Sequence, residues 1–135
     1  MKVLVIRKKD LVKIISEASK RTHEICGFLL GARKNNILEV LEVAFINNVS
    51  TVKEKAFYMD PIKMYNTLIY ANRKSLEVIG IFHSHPNSTT PSRADLKYMR
   101  LWNIPWLIVN SYSKKYEAYI LSNGRLEKIQ VILKD

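Results

Sequence analysis

The sequence predicts a single α/β domain over residues 1–135, a sandwich of mixed β-sheet flanked by about three helices. Three observations lead to it. Apolar runs of strand length alternate with segments of helical period, Asp60-Pro61 marks a capped helix start, and Asn123-Gly124 marks a tight hairpin. The length suits one apolar core without disulfide staples. Four glycines and four prolines leave no linker that would divide the chain.

The elements follow in order. Val3 to Ile6 is a short apolar strand, and Asp10 is placed to cap a helix in which Leu11, Ile14, Ile15 and Ala18 recur at helical spacing. Glu24 to Leu30 and Ile37 to Ile46 read as paired strands about the polar turn Lys34-Asn35-Asn36. After a loop, Asp60 stands before a proline at the first helical position, and Ile62, Tyr65, Leu68 and Ile69 form one apolar stripe. Val78 to Phe82 is an apolar strand, His85 to Pro91 a polar loop, and a third helix starts near Ser92. Strands at Trp106 to Val109, Tyr116 to Leu121 and Leu126 to Leu133 complete the chain, the last two joined through Asn123-Gly124.

Composition then narrows the chemistry. Cys26 is the lone cysteine, which excludes an intramolecular disulfide and a zinc site built from several thiolates, so any metal must use His, Asp or Glu. Cys26 itself reads as a small buried apolar residue. The apolar run Val3 to Ile6 is too short for the core of a signal peptide, and no stretch approaches the roughly 20 apolar residues that span a bilayer. A cytoplasmic protein with no membrane partner is expected. The net charge of +10 would favour nucleic acid, an anionic surface or an acidic protein. Its Lys and Arg are spread from Lys2 to Lys134 with no nucleic-acid motif, so a solvated surface is expected and no specific nucleic-acid partner. Trp102, Trp106 and the seven tyrosines read as core and interface.

The informative segment is Ile79-Gly80-Ile81-Phe82-His83-Ser84-His85-Pro86. On an extended chain residues i and i+2 face the same way, so the imidazoles of His83 and His85 can converge on one ion; the bland reading is two solvated loop histidines. A catalytic zinc site usually has three protein ligands and an open fourth position for water. Asp95, in the first turn of the helix after Ser92, is the candidate third ligand. Ser92-x-x-Asp95 is equally a capping box, whose side chains satisfy backbone N–H groups, and spacing leaves both readings open. Other proteins with a His-x-His pair fit poorly. A (β/α)₈ barrel takes about 250 residues, and the zinc deaminases need a Cys-x-x-Cys that one cysteine cannot supply.

The ordered motifs Glu24-Ile25-Cys26-Gly27-Phe28-Leu29-Leu30-Gly31, His83-Ser84-His85-Pro86 and Ser92-Arg93-Ala94-Asp95 resemble the JAMM, or MPN-plus, metalloproteases, which include deubiquitinating isopeptidases and prokaryotic relatives. Phe57-Tyr58-Met59-Asp60-Pro61 and the helix after it are also similar, and the resemblance spans residues 10 to 112. One departure is the loop from Pro86 to Ala94, one residue shorter than the family's spacing, which predicts a tighter loop with the ligands retained. The resemblance implies a JAMM/MPN-like, cytidine-deaminase-like fold and zinc on His83, His85 and Asp95. It implies Glu24 as general base and acid and Ser92 as oxyanion stabiliser; His23, next to Glu24 in the sequence, reads as a solvent-exposed loop residue. It also implies a metal-activated water that cleaves after the C-terminal tail of a ubiquitin-like or sulfur-carrier protein, and no strong linkage preference in so small a domain. The tail could pair with a sheet edge near the metal. The alternatives are a non-catalytic scaffold of this fold and a basic nucleic-acid-binding module, which a steep salt dependence of binding would reveal.

Overall fold

Leu4 and Ile6 are fully buried while Val3, Val5 and Arg7 are only partly so, the period-two alternation of a strand, β1 (Val3–Arg7). The computed structural model describes residues 2–20, 24–50 and 58–135. It continues with α1 (Lys8–Lys20), β2 (Cys26–Lys34), β3 (Ile37–Ile46), α2 (Pro61–Arg73), β4 (Glu77–His85), α3 (Arg93–Met99), β5 (Trp106–Asn110), β6 (Tyr116–Ser122) and β7 (Arg125–Lys134). The mixed sheet and three helices agree with the sequence pattern. His23 and Phe57 lie outside the described residues. Among the described residues no helix is long and apolar enough to cross a membrane.

The sheet is a closed barrel in the order β1-β3-β2-β4-β5-β6-β7, where a sandwich of mixed sheet flanked by helices was expected. Closure comes from β1, which pairs in parallel with β3 on one side, Leu4 opposite Leu38, and with β7 on the other, Leu4 opposite Val131. Parallel partners far apart in the chain leave no local mark, which is why the strand pattern alone does not show the closure.

Two apolar clusters hold the helices to the sheet. Leu11, Ile14 and Ala18 of α1 pack with Leu4, Leu29, Phe82 and Leu107. Ala71 of α2 and Met99 of α3 pack with Phe28, Ile81 and Trp106. Each fully buried Leu, Ile or Phe contributes about 1.5–3 kcal/mol.

β4 supplies the histidines, and a bulge decides which way they face. In its pairing with β2 the register passes from Leu29 opposite Gly80 to Leu30 opposite Val78, so Ile79 is an extra residue. Val78 packs toward the α2/α3 cluster and Ile79 toward the α1 cluster. After the bulge it is Ile81 that joins the α2/α3 side and Phe82 the α1 side. His83 and His85 share the parity of Ile81 and so face α3. Beside them β2 lies close to its neighbours at Gly27, where a Cβ would stand 2.1 Å from the Ala44 carbonyl oxygen and 2.5 Å from the Phe82 ring.

One expectation needs correction, and two features go beyond the sequence pattern. Asp10 is no N-cap: α1 begins at Lys8 directly after β1, and Asp10 sits in its first turn with Oδ2 accepting from Arg7 Nε at 2.9 Å. The α2 stripe faces solvent, with Ile62, Tyr65 and Leu68 72%, 64% and 42% exposed. α2 instead turns Met64, Thr67 and Ala71 inward, a helical face whose smaller residues bring the helix close to the sheet. Of the aromatic residues read as core and interface, Trp106 and Tyr119 are core, and Tyr58, Tyr65, Tyr70, Tyr98 and Tyr112 are exposed. The α2 cap itself is as expected, with Asp60 Oδ1 accepting from the Ile62 N–H at 3.0 Å and Pro61 opening the helix.

Candidate metal centre

The site grows from the end of β4. His83 pairs with Cys26 of β2 and with Ile108 of β5, so the backbone of its strand is held on both sides. Its imidazole is fully buried and meets the Trp106 ring edge-on at 5.6 Å between centroids. His85 pairs with Asn110 at the barrel's rim, and its ring centroid is 4.7 Å from that of His83. The two imidazoles thus share one face of a strand, as the i, i+2 spacing predicts, and the solvated-loop reading does not hold.

α3 brings the carboxylate. Ser92 is its N-cap, with Oγ accepting from the Asp95 N–H at 3.1 Å while Asp95 Oδ2 accepts from the Ser92 N–H at 2.8 Å. The capping box is therefore real. The same Asp95 Oδ2 lies 3.1 Å from His85 Nε2 and 3.4 Å from His83 Nε2. The two readings of Ser-x-x-Asp are thus not exclusive, because one carboxylate oxygen serves the cap and faces both imidazoles.

Glu24 stands two residues before β2, is buried, and places Oε1 3.6 Å from His83 Nδ1. Donor atoms of Glu24, His83 and His85 all lie within 4.8 Å of one another. Asp95 meets the imidazoles at both Nε2 atoms, whereas Glu24 approaches His83 from the other ring nitrogen.

The electrostatics match this packing. Burial pushes the Asp95 carboxyl upward, but the hydrogen bond from His85, the nearby His83 and the Ser92 N–H outweigh it, and the net shift is below the ordinary carboxylate range. Burial pulls His85 down, yet the hydrogen bond and charge of Asp95, with a contribution from Glu24, raise it above the ordinary imidazole value. Cys26, one strand away, is a buried thiol raised to about 12 by burial and by the charge of Glu24.

The donor set fits zinc. A tetrahedral ion with bonds of about 2.0–2.1 Å separates its ligand atoms by about 3.3 Å, and the Asp95 oxygen stands 3.1 and 3.4 Å from the two imidazole nitrogens. Borderline N and O donors of this kind suit that metal.

Two contributors carry no motif that marks them in the sequence. The Ser84 Oγ accepts from the Ile25 N–H at 2.9 Å, and Asn48 Nδ2 donates to the Glu24 carbonyl at 2.8 Å. Ser84 can be found from parity, since a residue between two same-facing histidines must point to the other side of the strand. Beyond Trp106 an apolar groove continues past Trp102 and Met59 to Tyr58 and Met64.

A family model described as prokaryotic homologs of the JAB domain matches residues 8–122. The chain is 39% identical over 132 residues to a desampylase of Pyrococcus furiosus, covering 96% of this chain and 90% of that protein. It is 31% identical over 88 residues to a probable TtuB-protein conjugate cleaving protease of Thermus thermophilus, covering 64% of this chain and 57% of that one. Among solved structures, a protein of Desulfitobacterium hafniense superposes with a TM-score of 0.83 at 24% identity, covering 98% of this chain and 93% of that chain. One of Salinibacter ruber superposes at 0.71 and 22% identity, covering 100% and 92%. At those identities the likeness concerns the fold alone.

Proposed function

This chain belongs to the prokaryotic homologs of the JAB domain, and on that premise we propose that it is a JAMM-type zinc isopeptidase that releases ubiquitin-like or sulfur-carrier proteins from their conjugates in the cytoplasm. The observation that supports it best is the convergence of Asp95 Oδ2 on His83 Nε2 and His85 Nε2, with Glu24 beside the same pair. The names of the two relatives support the substrate class, since one is a desampylase and the other a probable protease cleaving TtuB-protein conjugates.

In this reading His83, His85 and Asp95 hold the zinc. Bound there, the ion supplies a water acidified to a pKa of about 7 and a Lewis acid for the scissile carbonyl. Glu24 accepts the proton that the attacking water loses and returns it to the departing amine, so the amide and the water become a free amine and a carboxylic acid, which then ionises to the carboxylate. The Ser92 Oγ already accepts from the Asp95 N–H, which leaves its own O–H proton to donate to the oxyanion that develops on the carbonyl oxygen. The net charge of +10 would speed the encounter with an acidic modifier.

The test is hydrolysis of host modifiers fused through the C-terminal glycine to a lysine side chain or a peptide, alongside bare tail peptides. Chelator-sensitive cleavage of the fusions, with little cleavage of bare tails, is the expected result, because a tail alone buries little area and must be ordered on binding. Free hydrolysis of unrelated peptides with every modifier fusion left intact would make the protein a general peptidase.

A further inference from the structure

Glu24 lies outside the strand ladder: β2 starts at Cys26, whose partner on β4 is His83. Its backbone is held another way. The carbonyl of Glu24 accepts from Asn48 Nδ2 at 2.8 Å, and the N–H of Ile25 donates to Ser84 Oγ at 2.9 Å. These are the two polar groups of one peptide bond. Because that unit is planar, holding its oxygen and its hydrogen holds the plane and with it the Cα of Glu24, the atom from which the side chain leaves the backbone.

Both clamping side chains are buried and themselves held. Ser84 is 2% exposed, and its own N–H donates to the Ile25 carbonyl at 3.0 Å. Asn48 is 8% exposed, and its Oδ1 accepts from the N–H groups of Ser50 and Tyr58, each at 3.0 Å. Two donors on one side and a carbonyl on the other define which end of the amide is oxygen. A surface glutamate would not need two buried polar side chains to orient its peptide. A carboxylate that must stay beside His83 does, since a misplacement of about 1 Å can cost about 100-fold in rate.

We propose that Asn48 and Ser84 are positioning residues for Glu24, clamping the Glu24–Ile25 peptide from its two ends so that the carboxylate is fixed beside the metal ligands. The inference rests on the reading of Glu24 as the proton carrier.

Asn48→Asp is the sharpest probe, because it retains oxygen acceptors for Ser50 and Tyr58 and removes the donor to Glu24. Ser84→Ala removes the acceptor for Ile25, and Ser84→Thr restores a hydroxyl. With a modifier–peptide fusion as substrate, Asn48→Asp and Ser84→Ala should lower kcat by about 10- to 100-fold with KM nearly unchanged, and Ser84→Thr should recover most of the loss. Zinc content should stay at one equivalent, and the Ile25 amide should exchange faster with solvent in Ser84→Ala than in the wild type. In a Glu24→Gln background Asn48→Asp should cost nothing further, a non-additivity that general damage to the fold would not produce. Undiminished kcat in the zinc-loaded single variants, or full additivity with Glu24→Gln, overturns the clamp. If Ser84→Ala does not fold, Asn48→Asp and its double variant decide alone. A Glu24→Gln protein as active as the wild type would instead overturn the reading of Glu24, a result distinct from normal clamp variants beside an inactive Glu24→Gln.

Discussion

His85 ends β4 and Asp95 sits in the first turn of α3, yet His85 Nε2 and Asp95 Oδ2 are 3.1 Å apart. The contact joins the two ends of the loop between them, and the same Asp95 Oδ2 accepts from the Ser92 N–H, so one oxygen carries both tasks. Asp95→Asn keeps an oxygen for the Ser92 N–H and so keeps the cap, but it removes the charge that holds a cation. The variant should remain folded, with a thermal midpoint for the metal-free protein near that of wild type, and should lose zinc on dialysis where the wild type keeps one equivalent. Full zinc occupancy in Asp95→Asn would mean that another group is the third ligand.

The same pair makes zinc binding a competition with protons. Against the downward pull of burial, the Asp95 carboxylate raises His85 above its ordinary 6.5, so in the metal-free protein this ring holds its proton to higher pH than a free imidazole. Zinc needs it neutral and must displace that proton. Apparent zinc affinity should therefore fall as pH drops through the raised value, by about tenfold per pH unit for one proton released. Zinc titrations at several pH values from about 8 down to about 5.5 check this; a flat profile would contradict it.

Glu24→Gln keeps the size and most polar contacts of the side chain while removing its capacity to take a proton. Zinc content should be unchanged and turnover lower by about 100-fold or more, with little effect on KM. Metal analysis and steady-state kinetics on the same preparation measure both; undiminished turnover would pass the proton-transfer role to another group.

Cys26 carries a pH signature of its own. Its thiol is raised from an ordinary 9.0 to about 12, so the folded chain keeps its proton where the unfolded chain loses it. The stability it contributes is complete below pH 9.0 and is lost as pH rises toward about 12, at up to about 1.4 kcal/mol per pH unit. Denaturant midpoints between those limits should fall less steeply for Cys26→Ala than for the wild type. Equal slopes would show that Cys26 does not control the alkaline limb.

Gly27→Ala tests the close packing behind the site. The added carbon would meet the Ala44 carbonyl oxygen at 2.1 Å, and backbone cannot move aside as a flexible side chain can. A loss of about 3 kcal/mol or more is expected. Urea denaturation measures it, and a loss under about 1 kcal/mol would mean that β2 and β3 separate easily at this point.

Much of the chemistry is legible in the order of the residues. His83 and His85 face the same way because a strand repeats every two residues, Asp95 falls in the first turn of a helix because Ser92 caps it, and Asp60-Pro61 starts α2 where its side chain and ring dictate. All of these are relations among residues close in the chain. Tertiary structure decided which face of β4 the histidines occupy, through the extra residue Ile79, and whether Asp95 would cap, face the imidazoles, or do both. It also decided that β1 joins β3 to β7 into a barrel, that the α2 stripe faces solvent, and that Asn48, far along the chain, holds the Glu24 carbonyl. Those outcomes depend on which distant surfaces meet, and backbone pairing between distant segments uses N–H and C=O groups that nearly every residue has, so the residue types alone do not record it.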